Sequence, residues 1–452
     1  MSHLPFLASL ALNRRVLAAT AAMGLGSAAI LSLPLAGRIW STNTHARLTE
    51  AGRGSAGTAW RRVGSRLVVV ELATALVLLT GAGLLGKSLY MLLHVAVGIQ
   101  PEHLVTITVA LPDLTYKTDA QTIAAMREIR RAIEALPGVQ SAGFVGLGLP
   151  TSGNGNTTWF LVAGRPSNVP HEEAPMREVG TTYFQTLEAK LMKGRYFQEG
   201  EDSTKPPVAI VNQSFVRKYF PGENPLGKQL RDLRPGTKPK EIVGVVEDIR
   251  EGPLDAPIPP VLYVPYEQST DTYVSLVVRA SGDERSLLAA TRSAIHQIDA
   301  DIVPIGGMTM IDLINDSTSA YIHRTMAWLV GGFAVIALIL GVVGLYGVIA
   351  YSVSRRSREI GIRRALGAQT GSVYRLILRE ASWLTILGIG FGLAGAIGAG
   401  TLMRGLLFGV RTWDLTTLAS VTAVLGIAAL VASFIPARRA ASVNPVEALR
   451  AE

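Results

Sequence analysis

The chain has 452 residues, of which 48% are hydrophobic and 17% are charged, and it contains no cysteine. Ordinary soluble domains carry about 25% charged residues, so this composition argues against a conventional soluble enzyme and against a disordered chain. The absence of cysteine excludes disulfides, thiolate metal sites and cysteine nucleophiles. The formal net charge of +9 indicates a nucleic-acid partner only if the basic residues form a patch.

Five stretches are apolar enough to cross a bilayer, whose hydrocarbon core of about 30 Å requires about 20 helical residues. The second stretch contains Glu71 and Lys87 toward its ends, where long side chains reach the interface. At the bilayer centre such a charge costs about 2.5 to 3.5 kcal/mol. The sequence therefore predicts an α-helical membrane protein with about five transmembrane helices, at residues 16–36, 67–97, 326–353, 381–403 and 415–435.

The charged residues are divided unequally along the chain. Segment 98–325 has 22 basic and 27 acidic residues, a net of −5, whereas the remainder has 21 and 7, a net of +14. Arginines concentrate beside the predicted spans, in segments 38–66, 354–380 and 438–452. Because cytoplasmic loops are enriched in Lys and Arg, these three segments are predicted to be cytoplasmic and segment 98–325 extracytoplasmic. The basic total is a topology signal, and nucleic acid is not an expected partner.

The first predicted span has two interpretations. Alternation through five spans places the N-terminus outside, yet Arg14 and Arg15 also suit the basic start of a signal peptide. Cleavage near Gly37 would leave an arginine-rich loop outside. The charge bias therefore favours a retained span.

The external segment is predicted to have an α+β fold. Residues 104–112 alternate like a strand, an amphipathic helix starts at Asp119, and a second strand covers 139–147. The pattern recurs as a strand at 273–278, a helix at 284–298 and a strand at 302–305, so the two units are expected to share a sheet. The intervening residues are predicted to form an inserted, mostly β subdomain at about 151–271, with strands at 208–211, 241–247 and 261–264 and a helix at 214–219.

The third predicted span belongs to a longer helical pattern. No proline occurs between 305 and 365, which predicts one long helix that continues from 326–353 upstream into 308–324 and downstream into 354–365. Stretches 67–97 and 326–353 measure about 46 and 42 Å at the helical rise, which exceeds the hydrocarbon thickness. Both are expected to protrude as stalks able to carry motion across the membrane.

Residues 81–88 match the phosphate-loop pattern GxxxxGKS, but the match is interpreted as a chance one. A phosphate loop requires a strand, an exposed loop and a soluble helix, whereas these residues lie within an apolar span. The scattered histidines form no metalloprotease pattern, and the carboxylates of 98–325 are interpreted as a solvated face. No catalytic residue and no metal site is therefore predicted, and the chain is not expected to be an enzyme.

The loop at 354–380 is the most specific feature. Its arginines are interpreted as continuing the preceding helix into the cytoplasm, and Gly367 allows the backbone to turn. Residues 368–374 are then expected to form a short helix across the base of the membrane domain, suited to docking a soluble partner.

The sequence resembles the permease subunits of the macrolide-exporter and FtsX type, in the ATP-binding-cassette (ABC) superfamily. The resemblance covers residues 60–452 and has the same order of one span, a large external domain and three spans. Four stretches carry it: SRRSREIGIRRALGAQ (354–369), PARRAASVNPVEALRAE (436–452), VNQSFVRKYFPGENPLGKQL (211–230) and EIVGVVEDIREGPLDAPIPPVLYVPY (241–266).

The resemblance implies a bacterial inner-membrane, multi-pass permease with a MacB-like periplasmic domain. It implies that ATP and Mg²⁺ are bound by a separate ABC ATPase subunit, whose closure moves the periplasmic domain for export or extrusion. A second permease unit, from a homodimer or a companion half, and a periplasmic adaptor are further implied partners, beside the lipid bilayer. The residues that occupy the family's ATPase-coupling motif are Glu359, Gly361, Arg363, Arg364, Ala365, Gly367 and Ala368.

The extra first span departs from that family unit. Residues 12–55 resemble the last helix and linker of a preceding unit, as in duplicated acidobacterial permeases, so the chain resembles a second half with the end of a first. Three other functions stay open: an FtsX-like regulator of a periplasmic enzyme, a membrane-anchored receptor, and a membrane enzyme with a carboxylate site in 98–325. The expected division is an N-terminal segment 1–37, a basic linker 38–66, a transmembrane helix 67–97, a periplasmic domain 98–325, an FtsX-like permease domain 326–437 and a tail 438–452.

Overall fold

The computed structural model describes Ala18 and residues 55–146, 148–149, 156–164, 172–233, 236–366 and 369–442. The chain divides into two units, residues 1–67 and 68–452. Within the first unit the structure describes Ala18 and residues 55–67, which begin the first long helix. The predicted first span, 16–36, lies outside the described residues except for Ala18, so the described part of the chain does not test it.

Four helices in the described part of the chain are long and apolar enough to cross a membrane. Each contains most of one predicted span, and the helix that covers span 67–97 stops at Leu93. They are α1 (Ser55–Leu93, apolar over Val63–Leu93), α7 (Thr318–Arg355), α9 (Thr370–Leu402) and α10 (Leu415–Ala441); the shorter helices are α2 (Asp119–Glu134), α3 (Tyr183–Leu187), α4 (Gln213–Tyr219), α5 (Glu284–Ile298), α6 (Met310–Asn315) and α8 (Ser357–Ala365).

The continuous helix predicted around 326–353 is wrong at both of its ends. Helix α6 stops at Asn315, and α7 starts after Ser317, whose hydroxyl accepts a hydrogen bond from the backbone N–H of Ala320. Serine at such a position satisfies an unpaired N–H of the first turn and so favours a new start. At the other end, α7 stops at Arg355 and a separate helix, α8, follows.

The external segment forms one mixed sheet whose centre is the predicted pair of strand–helix–strand units. Strand β10 pairs antiparallel with both β1 and β2, and β11 pairs with the other edge of β1. The prediction that the two units share a sheet is therefore confirmed. The strands are β1 (Leu104–Ala110), β2 (Val139–Gly146), β3 (Thr157–Val162), β4 (Glu172–Val179), β5 (Leu191–Gly194), β6 (Val208–Asn212), β7 (Gln229–Asp232), β8 (Lys240–Val246), β9 (Leu262–Pro265), β10 (Tyr273–Ala280) and β11 (Val303–Thr309).

Helices α2 and α5 cover one face of this central sheet. Met126, Ile129 and Ile133 of α2 are fully buried with Ile295 of α5. Their spacing of three and four residues places them on one helical face, as the sequence predicts. Thr118 begins α2 with a capping box in which Thr118 and Gln121 exchange side-chain-to-backbone hydrogen bonds.

The end of α1 and the short helix α6, which precedes α7, contribute to the core on the opposite side of the external sheet. Leu92 and Val97, at and just after the end of α1, share a buried cluster with Met310 and Ile314 of α6. Tyr263 of β9 belongs to the same cluster. The external domain thus packs directly onto the segment that follows α1 and the segment that precedes α7.

The inserted part of the sheet has more strands than the sequence predicts. The predicted strands at 208–211, 241–247 and 261–264 are confirmed as β6, β8 and β9, and the predicted helix as α4. Four further strands, β3, β4, β5 and β7, are additional. A single residue pair, Val145 with Val179, joins β2 to β4 and so links the inserted strands to the central ones.

Glycines let helix α9 approach α1 closely. A Cβ atom added to Gly388 would lie 2.7 Å from the Cβ of Leu72, and one added to Gly392 would lie 2.9 Å from the Cβ of Leu76. Both leucines are fully buried. Small residues at four-residue spacing permit such contacts between helices in lipid.

We expect Gly388→Leu to destabilise the helical bundle by about 1 to 3 kcal/mol, because the new side chain overpacks the contact with Leu72. Unfolding of the full chain in mixed micelles measures the loss. Gly390→Leu is the matched control, since a Cβ at Gly390 meets no atom within 4 Å. Equal stability of the two variants would show that α9 does not pack on α1 as described.

Candidate functional site

Helix α8 lies between the long helices α7 and α9, and the apolar side chain of Ile360 packs against them. Ile360 is almost completely buried and shares a cluster with Val373 and Ile377 of α9 and Ile349 of α7. Gly361, beside it, is also buried. The inward face of α8 therefore packs against the ends of α7 and α9.

A polar network connects the same helix ends. The Ser352 hydroxyl on α7 donates to both carboxylate oxygens of Glu380 on α9, at 3.3 and 3.1 Å. Arg356, between α7 and α8, approaches Glu380 with an Nη1–Oε2 distance of 3.5 Å. Movement of α8 is thus tied to α7 and α9 by packing and by charge.

The opposite face of α8 is exposed and combines charge with apolar surface. Arg363 Nη2 donates to Glu359 Oε1 at 2.5 Å, one helical turn away, and both side chains are about half exposed. Ile362 is also exposed, and Leu366 is 83% exposed. We name Glu359, Ile362, Arg363 and Leu366 the coupling face. An arginine among exposed apolar side chains is typical of a protein-binding surface.

The structure describes part of the predicted coupling motif. Glu359 and Arg363 lie on the coupling face, Gly361 is buried and Ala365 is exposed near the end of α8. Arg364 lies within α8, and the structure does not describe its side chain. Gly367 and Ala368 lie outside the described residues.

The predicted short helix is displaced along the sequence. Residues 370–374 form the start of the long helix α9, and the separate short helix is α8, at Ser357–Ala365. The prediction of a separate short helix at 368–374 is therefore wrong, because the described residues of that segment begin a long helix. The apolar residues Ile360, Ile362 and Leu366 were not predicted as site residues, although burial of Ile360 indicates which face of α8 is packed.

At the other end of the bundle, Lys87 and Asp414 form an interhelical ion pair. Lys87 Nζ donates to Asp414 Oδ1 at 2.7 Å. Asp414 also caps α10 by accepting the Thr417 N–H at 3.0 Å, and Ser88 Oγ accepts the Phe408 N–H at 2.8 Å. The GxxxxGKS residues thus lie in a continuous helix, with the last two bonded to protein groups.

The Lys87 ammonium, followed by hydrogen bonds from Thr416 and Thr417, holds the pKa of the Asp414 carboxyl well below its usual range. Because this pKa is lowered, the ion pair stabilises the fold above the ordinary aspartate pKa of about 3.9 and is lost as the pH falls through the lowered value. We expect Lys87→Met to cost about 1 kcal/mol at neutral pH, since the pair is partly exposed. The variant should also lose less stability on acidification.

Thermal unfolding of the full chain as a function of pH measures both effects. Arg404→Met is the control, because it removes an exposed cation from the same end of the bundle. Identical pH dependence of Lys87→Met and the unmodified chain would contradict a role for this ion pair.

No group of three or more His, Cys, Asp or Glu side chains able to hold a metal ion occurs among the residues that the structure describes.

Comparison with family models accounts for most of the chain. Residues 72–298 match the MacB-like periplasmic core domain, and residues 331–445 match the FtsX-like permease C-terminal domain. The chain belongs to the MacB-like permease family. The MacB-like model covers the external α+β domain up to the end of α5, and the FtsX-like model covers α8 with its coupling face.

Named relatives agree with this family. Macrolide export ATP-binding/permease protein MacB of Marinobacter nauticus is 28% identical, in a match covering 61% of this chain and 43% of that protein. The MacB 2 protein of Aeromonas hydrophila is 30% identical, covering 61% and 43% respectively. Pyoverdine export ATP-binding/permease protein PvdT of Pseudomonas aeruginosa is 27% identical, covering 60% of this chain and 41% of that protein.

A solved structure is also similar. The periplasmic region of MacB from Actinobacillus actinomycetemcomitans has a TM-score of 0.33 and 19% identity, covering 49% of this chain and 96% of that one. The matched region spans about two fifths of the length of the curated relatives. Membership of the MacB-like permease family makes this chain a membrane protein with a periplasmic-type domain.

Proposed function

We propose that this chain is the permease subunit of an ABC transporter, which converts ATP hydrolysis by a separate ATPase subunit into motion of its external domain. The observation that carries the proposal is the coupling face. It is the exposed side of a short helix whose other side is packed between two membrane helices. ATP and Mg²⁺ would be bound by the partner, and this chain would supply no catalytic residue.

The connections at both ends of α7 support transmission of force rather than conduction of a substrate. Helix α7 has 38 residues, a length of about 57 Å at the helical rise. One end meets α8 through Arg356, and the other follows α6, whose Met310 and Ile314 lie in the external core. A displacement of α8 would therefore reach the external domain through one helix.

Export or extrusion is the proposed direction, because the named relatives are export proteins. The proposal includes the bacterial inner membrane as location and a second permease unit as partner, either a second copy or a companion chain. A periplasmic adaptor would then receive the movement of the external domain. The direction, the location and these partners are inferred from the family and from its named relatives, not from contacts within the chain.

Affinity purification of the full chain from its native membranes tests the proposal. We expect an ABC ATPase to be recovered with the chain, and to be lost when the coupling face is altered by Arg363→Glu. Recovery of a periplasmic hydrolase without an ATPase would favour the regulatory alternative. Recovery of neither by a folded, inserted chain would favour the receptor and contradict the proposal.

A further inference from the structure

Glu71 is an acidic residue within the apolar part of α1, and it faces α7 at two glycines. The backbone of Glu71 lies 3.9 Å from the Cβ position of Gly341. Its carboxylate Oε2 occupies the space that a side chain at Gly344 would need. The absence of a side chain at Gly344 therefore makes room for the carboxyl group.

Helix packing places Glu71 deeper in the bundle than its position along span 67–97 indicates. Gly344 lies nine residues before Val353, where the apolar stretch of α7 ends. At the helical rise this is about 14 Å, close to half of the hydrocarbon thickness of about 30 Å. Leu72, the next residue, packs on Gly388, which lies seven residues inside the apolar stretch of α9 that begins at Ala381.

Glu71 as a whole is partly exposed, but one oxygen of its carboxyl group has no polar partner among the residues that the structure describes. Its Oε2 atom is buried without a hydrogen bond. The apolar part of α1 contains two further charges: Lys87 is bonded to Asp414 near the opposite end of the helix, and Arg66, five residues before Glu71, is exposed. A buried carboxylate without a partner is strongly disfavoured, and in lipid the penalty persists.

The charged and titratable groups on the neighbouring helices are engaged elsewhere or exposed. On α7, the Tyr346 hydroxyl accepts from Arg439 of α10 at 3.0 Å, and Arg355 donates to the Tyr351 hydroxyl at 3.2 Å. On α9, Glu380 is bonded to Ser352 and paired with Arg356. The remaining groups at the same ends of α9 and α10 are Arg375 and Arg379, which are exposed, Tyr374, which stacks on Phe434, and Arg438.

We propose that Glu71 is a proton-binding site that links the packing of α1 against α7 to pH. The Glu71 carboxylate takes a proton from water to become a neutral carboxylic acid, and this form is compatible with the apolar contact at Gly344. When the helices separate, the acid returns the proton to water and the carboxylate becomes hydrated. A metal cation is a poorer ligand for this place, because one carboxyl group supplies too few oxygens.

The distance between α1 and α7 should change with pH in a defined direction. At low pH the neutral acid stays packed at Gly344 and the helices are close. At high pH the ionised form favours separation, so the distance between α1 and α7 increases. Glu71→Gln imitates the neutral acid in size and cannot ionise, so it should keep the helices close at every pH.

Spin labels on the full chain in lipid nanodiscs measure this distance. The chain has no cysteine, so cysteines introduced at the exposed positions Val70 and Val343 are labelled selectively. We expect the distance to be longer in an alkaline buffer than in an acidic one, because the ionised carboxylate is the form that burial disfavours. The pH dependence should disappear in Glu71→Gln and persist in Glu380→Gln, which removes a carboxylate that already has partners.

A second variant and a second readout keep the test decisive. Gly344→Ala displaces the carboxyl group, so it should give the longer distance at all pH values. Infrared spectra should show a protonated carboxyl band at low pH that Glu71→Gln removes. A pH-independent distance in the unmodified chain, a shift that survives in Glu71→Gln, or the absence of the infrared band would each overturn the proposal, whatever the outcome of ATPase recovery.

Discussion

Replacing Arg177 by methionine is expected to destabilise the external domain by about 3 to 5 kcal/mol, because it leaves a buried carboxylate without its counter-ion. Arg177 lies on β4, and its side chain is 3% exposed, while that of its partner Glu251 is fully buried. Arg177 Nε donates to Glu251 Oε2 at 3.1 Å. The guanidinium group also donates to the backbone oxygen of Met176 at 3.2 Å.

Two buried tyrosines surround the same carboxylate. The Tyr263 hydroxyl donates to Glu251 Oε1 at 3.0 Å, and the Tyr183 hydroxyl is buried with no hydrogen-bond partner in the described part of the chain. Burial, and then the Glu251 charge, raise the pKa of both tyrosines well above the usual value. These groups therefore stabilise the fold below the ordinary tyrosine pKa of about 10 and lose that contribution at higher pH.

Hydrogen exchange of the β4 amides in the full chain measures the loss of stability caused by Arg177→Met. We expect Arg177→Met to accelerate exchange through domain opening by about a hundredfold or more, since each 1.4 kcal/mol is tenfold. Lys228→Ala is the control, because it breaks an exposed ion pair with Glu223 and should have little effect. The double variant Arg177→Met/Glu251→Leu should recover much of the stability. Unchanged exchange in Arg177→Met would contradict the importance of this buried pair.

Reversing the charge of Arg363 is expected to weaken binding of the ATPase subunit at least about tenfold, because a complementary contact becomes repulsive. Arg363 is about half exposed on the coupling face and is paired only within its own helix among the described contacts. Titration of the solubilised chain with the purified ATPase measures the effect of Arg363→Glu.

The intrahelical ion pair supplies the control for helix stability. Arg363→Glu alone places two acidic residues one turn apart and costs a few tenths of a kcal/mol in helix stability. The exchange Glu359→Arg/Arg363→Glu restores an opposite-charge pair and hence the helix. If the cation at position 363 is what the ATPase recognises, the exchange variant should still bind weakly. Full recovery of binding in the exchange variant would assign the effect to the helix instead.

The sequence predicts the elements of the external domain where the apolar pattern is regular. Helix α5 is predicted at 284–298 and observed at Glu284–Ile298, and strand β1 begins at Leu104 as expected. The additional strands β3 and β7 have weak patterns. Their pairing, such as Phe160 with Asp232, depends on partners about 70 residues away, which periodicity within one segment does not reveal.

In the segment around α8, the sequence pattern also fails to predict a feature that depends on tertiary contacts. The absence of proline is compatible with one helix through 354–365, and it does not indicate the break at Arg356. That break follows from tertiary contacts, namely burial of Ile360 between α7 and α9 and the approach of Arg356 to Glu380. For the same reason, the depth of Glu71 depends on which residues of α7 lie beside it.

The most direct test measures movement of the two stalk helices in the assembled complex. Spin labels at Tyr90 of α1 and Ile322 of α7, both exposed near the external ends, report the distance between them. In the presence of the ATPase subunit, ATP should change this distance in the unmodified chain and leave it unchanged in Arg363→Glu. An ATP-induced change without the ATPase subunit, or none in the full complex, would contradict a permease driven by a separate ATPase.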